Sequence, residues 1–302
     1  MFSNFIETAF YWPVPIFFMI SGITLMDYHE RMTTKEYFIR RINKTLIPYI
    51  AWCMISVLYA LASNRFMGAS YSVSFRAILS NFITPTYVHA YWFFPAIFGI
   101  YLSIPAFACL KPREKCFDYL ILCALLFNSL APLLSSMAGI AWNYDFVPSA
   151  ALGYAVYPLL GWRLTHIELT ARQRHGLYLA GVLAWLVQFS GTALLSNPET
   201  GISTVFKGYQ NLPAVIQAAA VLIFVKQIHW GKRVSRIAAE LSKYTFGVYL
   251  LHCYPVFILP AIAGFSDALV SWKIVGAFAI FASCCVITAI MQHIPIIRRI
   301  VP

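Results

Sequence analysis

The chain has 302 residues, of which 60% are hydrophobic and only 11% carry a charged side chain. Soluble domains have about 25% charged residues, so this composition excludes an ordinary soluble fold and indicates a polytopic membrane protein. The formal net charge of +11 does not predict nucleic-acid binding, because the basic residues lie between apolar runs and not together on a soluble domain.

Apolar runs of membrane-spanning length recur along the whole chain. They predict one integral membrane domain, residues 1–302, with nine helices at residues 8–26, 46–63, 91–110, 117–136, 150–163, 176–196, 212–230, 245–264 and 272–292. The predicted fold class is an all-α transmembrane helical bundle. The fifth run is short, and residues 66–88 are interpreted as an interfacial segment. The first run has no basic leader and no cleavage site, so it predicts a retained helix and not a signal peptide.

Lysine and arginine residues are distributed unequally between alternate connections. Of the 22, all but Arg65, Arg76, Lys207 and Lys273 lie after the first, third, fifth, seventh and ninth predicted helices. Basic residues collect on the cytoplasmic side of a membrane protein. The odd connections and the C-terminus are therefore predicted to be cytoplasmic, and the N-terminus to lie outside.

A basic segment, YFIRRINKTLIPY (residues 37–49), directly precedes the second apolar run. Arg41 and Lys44 are three residues apart, which places them on one face of an α-helix, and Arg40 is adjacent. Two cations directed the same way at the membrane edge would bind an anion. Membrane topology alone also predicts basic residues here, and the spacing leaves both interpretations open.

Two of the seven histidines have positions that suggest chemistry. His252 falls about eight residues, or roughly 12 Å, into its predicted helix, where an ionisable side chain must face protein or water. His89 lies on the outer side, close to Trp92. A structural hydrogen bond for His252 and a place in the interfacial aromatic belt for His89 are alternatives that the residues leave open.

The cysteines and the other aromatic residues are less informative. The seven cysteines are scattered without a metal-binding spacing and are interpreted as small apolar residues, so no metal is expected. Aromatic side chains near the outer boundary fit either a path for a sugar or interface anchoring; they are Tyr87, Tyr91, Trp92, Trp142, Tyr144, Tyr209 and Trp272.

Six stretches, in order along nearly the whole chain, resemble one family. They are VPIFFMISGITL (14–25), RRINKTLIPY (40–49), HAYWFFPAIFGIYLSIP (89–105), YPLLGW (157–162), LSKYTFGVYLLHCYPV (241–256) and IPIIRRIVP (294–302). Together they resemble acyltransferase family 3, a family of membrane O-acyltransferases. Two departures are Lys44, where the family has arginine, and one extra residue between His89 and Trp92.

The resemblance implies an activity, its substrates and a location. It implies a ten-helix core in a bacterial-type inner membrane, with acetyl transfer from cytoplasmic acetyl-CoA. The implied acceptor is a hydroxyl group of a surface polysaccharide or of its lipid-linked precursor. On this basis Arg40, Arg41 and Lys44 are expected to bind the CoA phosphates. His252 and His89 are candidates for the base that activates the hydroxyl.

In the family the base lies on a further helix that precedes the VPIFFMISG stretch, and only MFSNFIETAFYWP precedes that stretch here. We therefore expect the start of this chain to be truncated relative to the family, and residues 1–302 alone to have little or no activity. Two other functions stay open: a transporter or flippase of lipid-linked glycans, and a non-catalytic membrane partner derived from an acyltransferase. The acidic residues lie in connections or at helix ends, which disfavours a proton-driven transporter.

Overall fold

The computed structural model describes residues 2–66, 68–197, 199, 201–263 and 269–302. In chain order its α-helices are α1 (Phe2–Ala9), α2 (Pro13–Leu25), α3 (Thr34–Arg41), α4 (Ile47–Phe66), α5 (Phe75–Ile83), α6 (Phe93–Leu110), α7 (Glu114–Cys123), α8 (Ala131–Met137), α9 (Val156–His166), α10 (Ala171–Leu195), α11 (Leu212–Gln227), α12 (Lys232–Ser242), α13 (Thr245–Leu251), α14 (Cys253–Ala263) and α15 (Ala277–His293). Over these ranges the chain forms helices and no strand, so the predicted all-α fold class is confirmed.

Six helical segments of the described chain are long and apolar enough to cross a membrane: Phe2–Glu30, Thr34–Phe66, His89–Leu110, Glu114–Met137, Ala171–Leu195 and Trp272–His293. They contain the first four, the sixth and the ninth predicted helices, which confirms a helical, multi-pass membrane protein.

The other three predicted helices are shorter or interrupted. The seventh forms the apolar helix Leu212–Gln227, and the fifth forms α9, which has 11 residues. The eighth divides at His252 into α13 and α14, and its predicted end at residue 264 lies outside the described residues. The count of nine spans stays a prediction.

The described helices form two compact units. The first comprises Met1–Thr34 and Ala96–Ile228, and the second comprises Lys35–Pro95 and His229–Pro302. In the first unit α10 packs along α11, and α2 packs on α9. The amide of Gln217 donates a hydrogen bond of 2.7 Å to the side-chain oxygen of Gln188, so two buried polar side chains satisfy each other between α10 and α11.

The crossing of α2 and α9 depends on two glycines. A Cβ atom on Gly22 would lie 2.0 Å from the carbonyl oxygen of Pro158, and one on Gly161 would lie 2.6 Å from the carbonyl oxygen of Met19. The two backbones are therefore in direct contact, which only residues without a side chain permit.

The second unit contains one long helix with a π-helical turn. Helix α3, the π turn Ile42–Leu46 and α4 form a continuous helix from Thr34 to Phe66. Helix α5 packs against α4, and α15 packs against α13. The predicted interfacial segment, residues 66–88, thus contains a short helix of its own.

Helix α12 of the second unit has no buried residue. Its apolar side chains, Val234, Ile237 and Leu241, are 40% to 51% exposed, and their spacing places them on one face. The same helix carries three cationic side chains, Lys232, Arg233 and Arg236. This pattern is typical of a helix that lies along a membrane surface.

The α2–α9 contact predicts opposite outcomes for two glycine substitutions. Gly22→Ala forces a methyl group into the backbone of Pro158 and should lower stability by about 1–3 kcal/mol or more. Gly99→Ala on α6 is the matched control, because a Cβ there meets nothing within 4 Å, and alanine favours the helix by up to about 1 kcal/mol. Thermal unfolding of both variants in detergent measures the difference, and an equal loss in the two would contradict the proposed packing.

Candidate functional site

The three predicted cations lie where α3 meets the π turn. Arg40 and Arg41 end α3, and Lys44 belongs to the π turn. Arg40 and Lys44 are exposed, whereas Arg41 is half-buried with its guanidinium carbon 6.0 Å from the centroid of the Tyr37 ring. A cation this close to an aromatic face is held in place by the ring.

Pro48 explains the π turn. Proline has no N–H, so it cannot donate to the carbonyl of Lys44 as an α-helix would require. The N–H of Ile47 instead bonds to the carbonyl of Ile42, one residue further back than in an α-helix. A π turn takes more residues than an α turn, so the spacing of a regular α-helix does not apply between Arg41 and Lys44. The sequence predicted Arg41 and Lys44 on one face; the two cations that are both exposed are Arg40 and Lys44.

A second feature of the same unit is a cavity of about 130 Å³. Its lining, here called the tyrosine cavity, comes from α4, two loops and α14; the residues are Tyr59, Tyr71, Thr86, Tyr87, Val88, His89, Cys253 and Tyr254. The rings of Tyr59 and Tyr254 meet edge to face at 5.2 Å, and those of Tyr71 and Tyr87 at 5.9 Å. Edge-to-face contacts fix the orientation of aromatic rings, so the walls are preformed.

One buried amide side chain holds the loop before His89. The oxygen of Asn81 accepts hydrogen bonds from the backbone N–H groups of Thr86 (2.9 Å) and Tyr87 (3.2 Å). Its amide nitrogen donates to the hydroxyl of Ser56 on α4, at 3.1 Å. The loop is therefore tied to a spanning helix. Asn64 fixes the other loop in the same way, through two hydrogen bonds with the backbone of Tyr71.

The fourth wall is formed where α13 and α14 divide. Pro255 cannot donate to the carbonyl of Leu251, so the helix is interrupted at His252. The buried hydroxyl of Tyr91 donates to the carbonyl of Leu250 at 2.9 Å and contacts the hydroxyl of Tyr254 at 3.1 Å. The hydroxyl of Tyr249 donates to the carbonyl of Ala90. These bonds attach the break to the 3-10 turn His89–Trp92.

The interruption places the two predicted histidines near one cavity. His89 is exposed and lies on the wall. His252 is half-buried; its Nδ1 lies 2.7 Å from the carbonyl oxygen of Tyr249, and its Nε2 lies 3.5 Å from Sγ of Cys253, which is itself on the wall. The structural hydrogen bond considered for His252 is therefore present, and the second ring nitrogen faces a thiol.

Helix α4 connects the cations to the tyrosine cavity. Fifteen residues separate Lys44 from Tyr59, which corresponds to about 22 Å at 1.5 Å per residue. Trp52 lies between them, and its ring is 6.0 Å from that of Tyr254. The cations do not line the cavity; they lie at one end of the helix whose far part forms its wall.

Sequence reasoning missed Cys253, Tyr59, Tyr71 and Tyr254. Cys253 was interpreted as a small apolar residue, and the tyrosines lie in or beside apolar runs that explain them equally well. The available signal was Pro255, which interrupts an apolar run directly after the pair His252–Cys253. Of the seven outer aromatic residues considered, Tyr87 lines the tyrosine cavity and Tyr91 supports it.

Comparison with known families gives one result. The family model described as "Acyltransferase domain" matches residues 1–292. This chain belongs to acyltransferase family 3. Searches of curated proteins and of solved structures found no significant match.

Membership of acyltransferase family 3 defines the general chemistry as acyl transfer by a membrane protein. Such a reaction needs a nucleophile, a base that accepts its proton and a site for the acyl donor. In the described part of this acyltransferase, no cluster of three or more His, Cys, Asp or Glu side chains is placed to hold a metal ion. The tyrosine cavity is lined by one imidazole (His89), one thiol (Cys253) and several tyrosine side chains, and the imidazole of His252 contacts that thiol.

The hydroxyl of Tyr91 is expected to hold the interrupted helix in place. Tyr91→Phe removes the hydroxyl that donates to the carbonyl of Leu250 and contacts the hydroxyl of Tyr254. The free energy of unfolding should fall by about 1–3 kcal/mol. Thermal unfolding should show this loss, and alkylation of Cys253 by a maleimide should become faster as the break loosens. Tyr144→Phe, at a tyrosine that is 49% exposed, is the control and should change neither. Unchanged stability and alkylation in Tyr91→Phe would show that the bond does not hold the break.

Proposed function

We propose that this chain is an O-acetyltransferase that moves an acetyl group from cytoplasmic acetyl-CoA to a sugar hydroxyl. The acceptor is a surface polysaccharide or its lipid-linked precursor, and the location is a bacterial-type inner membrane with the C-terminus cytoplasmic and the N-terminus of the chain outside. The observation that carries the proposal is the course of α4, which connects three cations to a preformed aromatic cavity in a member of an acyltransferase family.

The donor site is assigned to Arg40, Arg41 and Lys44. The unequal distribution of lysine and arginine supports a cytoplasmic location for this end of the helix, where acetyl-CoA is available. Arginine binds phosphate through a planar fork and lysine as a point charge. Because Arg40 and Lys44 are exposed, both can reach a phosphate group in solution, while Arg41 is positioned by Tyr37. The flexible pantetheine arm of CoA then carries the thioester along α4 towards the cavity.

The acceptor site is assigned to the tyrosine cavity. Sugars present C–H faces that stack on aromatic rings and hydroxyl groups that pair with phenols, and the walls offer both. The cavity of about 130 Å³ limits the acceptor to a small part of the glycan, so one sugar enters while the rest stays outside. Its exposed wall residue His89 is placed to accept the proton of the attacking hydroxyl.

The donor assignment predicts a specific kinetic effect. Arg40→Gln and Lys44→Gln should each raise KM for acetyl-CoA by roughly tenfold to a hundredfold, since a charge-assisted hydrogen bond contributes about 1.5–3 kcal/mol. Acetyl-CoA-dependent release of CoA by the chain in its native membranes measures this. Removing the 3′-phosphate of the donor should reduce the difference between variant and parent.

The matched control is Lys35→Gln, because Lys35 is exposed on the same helix, one turn or more before the cations. It should leave KM unchanged. An equal effect of all three substitutions would mean that these residues act through membrane topology alone, and the donor assignment would fail.

The acceptor assignment predicts that His89→Gln lowers kcat for acetyl transfer by about 10²–10⁴-fold, the contribution of a positioned base. The KM for acetyl-CoA should not change, because the cations are intact. His229→Gln, at an exposed histidine of the same unit, is the control and should have parental kcat. Radiolabelled acetyl transfer to glycan extracted from the same cells is the assay, and a parental kcat in His89→Gln would exclude His89 as the base.

A further inference from the structure

Cys253 both lines a cavity and contacts a histidine. It lies on the wall of the tyrosine cavity, and its sulfur is 3.5 Å from Nε2 of His252. Cys53 and Cys284 of the same unit are instead buried. A thiol that faces a cavity and contacts an imidazole has the arrangement of an activated nucleophile.

The hydrogen bonds of His252 determine which ring nitrogen is the base. The carbonyl oxygen of Tyr249 can only accept a hydrogen bond, so Nδ1 of His252, 2.7 Å away, carries the ring proton. In the neutral imidazole Nε2 is then an acceptor, and it faces Sγ of Cys253. The imidazole is thus held in the tautomer that removes a thiol proton.

Cys253 is also connected to the 3-10 turn His89–Trp92. Its sulfur has a backbone hydrogen bond with Ala90, in the 3-10 turn that carries His89. The Tyr91 hydroxyl attaches the same turn to the interruption through the carbonyl of Leu250.

Resting on the proposed function, we propose that Cys253 carries the acetyl group as a covalent thioester between donor and acceptor. Its sulfur attacks the thioester carbonyl of acetyl-CoA while His252 Nε2 takes the thiol proton. The bond between the acetyl carbon and the CoA sulfur breaks, and the CoA thiolate takes the proton from His252. The products are acetyl-Cys253 and free CoA.

The second half returns the enzyme to its starting state. The acceptor hydroxyl attacks acetyl-Cys253 and gives its proton to His89. The bond between the acetyl carbon and Sγ breaks, the Cys253 thiolate takes up one proton from solvent, and His89 releases its proton to solvent. A sugar ester and the free thiol result, and no oxidant or reductant is needed.

The size of the cavity supports a reaction in two steps. Pockets that enclose a ligand usually measure about 300–1,000 Å³, whereas this one has about 130 Å³. A cavity of this size is small for the end of the pantetheine arm and a sugar together. Storing the acetyl group on the wall lets donor and acceptor use the same space in turn.

The test uses the chain in its native membranes with radiolabelled acetyl-CoA and no added acceptor. Label should accumulate on the protein, be released by neutral hydroxylamine as thioesters are, and map to Cys253 by peptide mass spectrometry. Cys253→Ala should lose the label and at least a hundredfold of acetyl transfer to extracted glycan. Cys253→Ser, which preserves size, guards against loss of fold and should also lose a hundredfold of transfer.

Two further variants test whether the effect is specific to the His252–Cys253 pair or follows from any substitution in this unit. His252→Gln can still donate to the carbonyl of Tyr249 but cannot take a thiol proton, so labelling should slow by about 10²-fold or more without a change of unfolding temperature. Cys285→Ala, at a half-buried cysteine of the same unit, should label and transfer as the parent does.

The outcomes distinguish this inference from the proposed function. Full acetyl transfer by folded Cys253→Ser, or label on a different residue, would overturn the thioester and leave the transferase function standing. Absence of both CoA release and glycan acetylation in the parent would overturn both, and it would agree with the low activity that the sequence predicts for residues 1–302 alone.

Discussion

A carbonyl group in a membrane-spanning helix has only protein donors within reach, and prolines decide where this chain must supply them. Pro48 removes one donor, and the chain responds with a π turn that redirects the N–H of Ile47 to Ile42. Pro255 removes another, and the chain divides into α13 and α14, with the Tyr91 hydroxyl bonded beside the break. Both departures from regular helix carry the residues to which chemistry is assigned.

These two places also mark the limit of what the sequence could predict. Apolar runs predicted the spanning helices well, because length and composition are local properties. The placement of Cys253 and His89 on the wall of one cavity depends on contacts between α13, α14 and the 3-10 turn, which lie about 160 residues apart in the chain. No periodicity in one segment contains that information.

In the basic segment, residues 37–49, the sequence predicted the position of the cations but not the backbone conformation. Its existence and its place at the start of a span followed from residues 37–49, and the alternative of an anion site was already open. The assignment of faces assumed an α-helix between Arg41 and Lys44, whereas the structure has a π turn there, so their common face stays a prediction. Lys44, where the family has arginine, is exposed. A lysine ammonium group can bind a phosphate from several directions, whereas an arginine guanidinium group binds best in one planar orientation. Lysine is therefore consistent with this exposed position.

The walls of the tyrosine cavity come from two kinds of structure, spanning helices and loops. Tyr59 and Tyr254 belong to helices, whose packing in a membrane tolerates little change, whereas Tyr71 and Tyr87 belong to loops fixed by Asn64 and Asn81. Substitutions in these loops can reshape the cavity while the two asparagine anchors and the spanning helices stay the same. Evolution could therefore change what the cavity accepts by altering a few loop positions, and descendants of this acyltransferase would differ in the shape of the cavity long before they differ in fold.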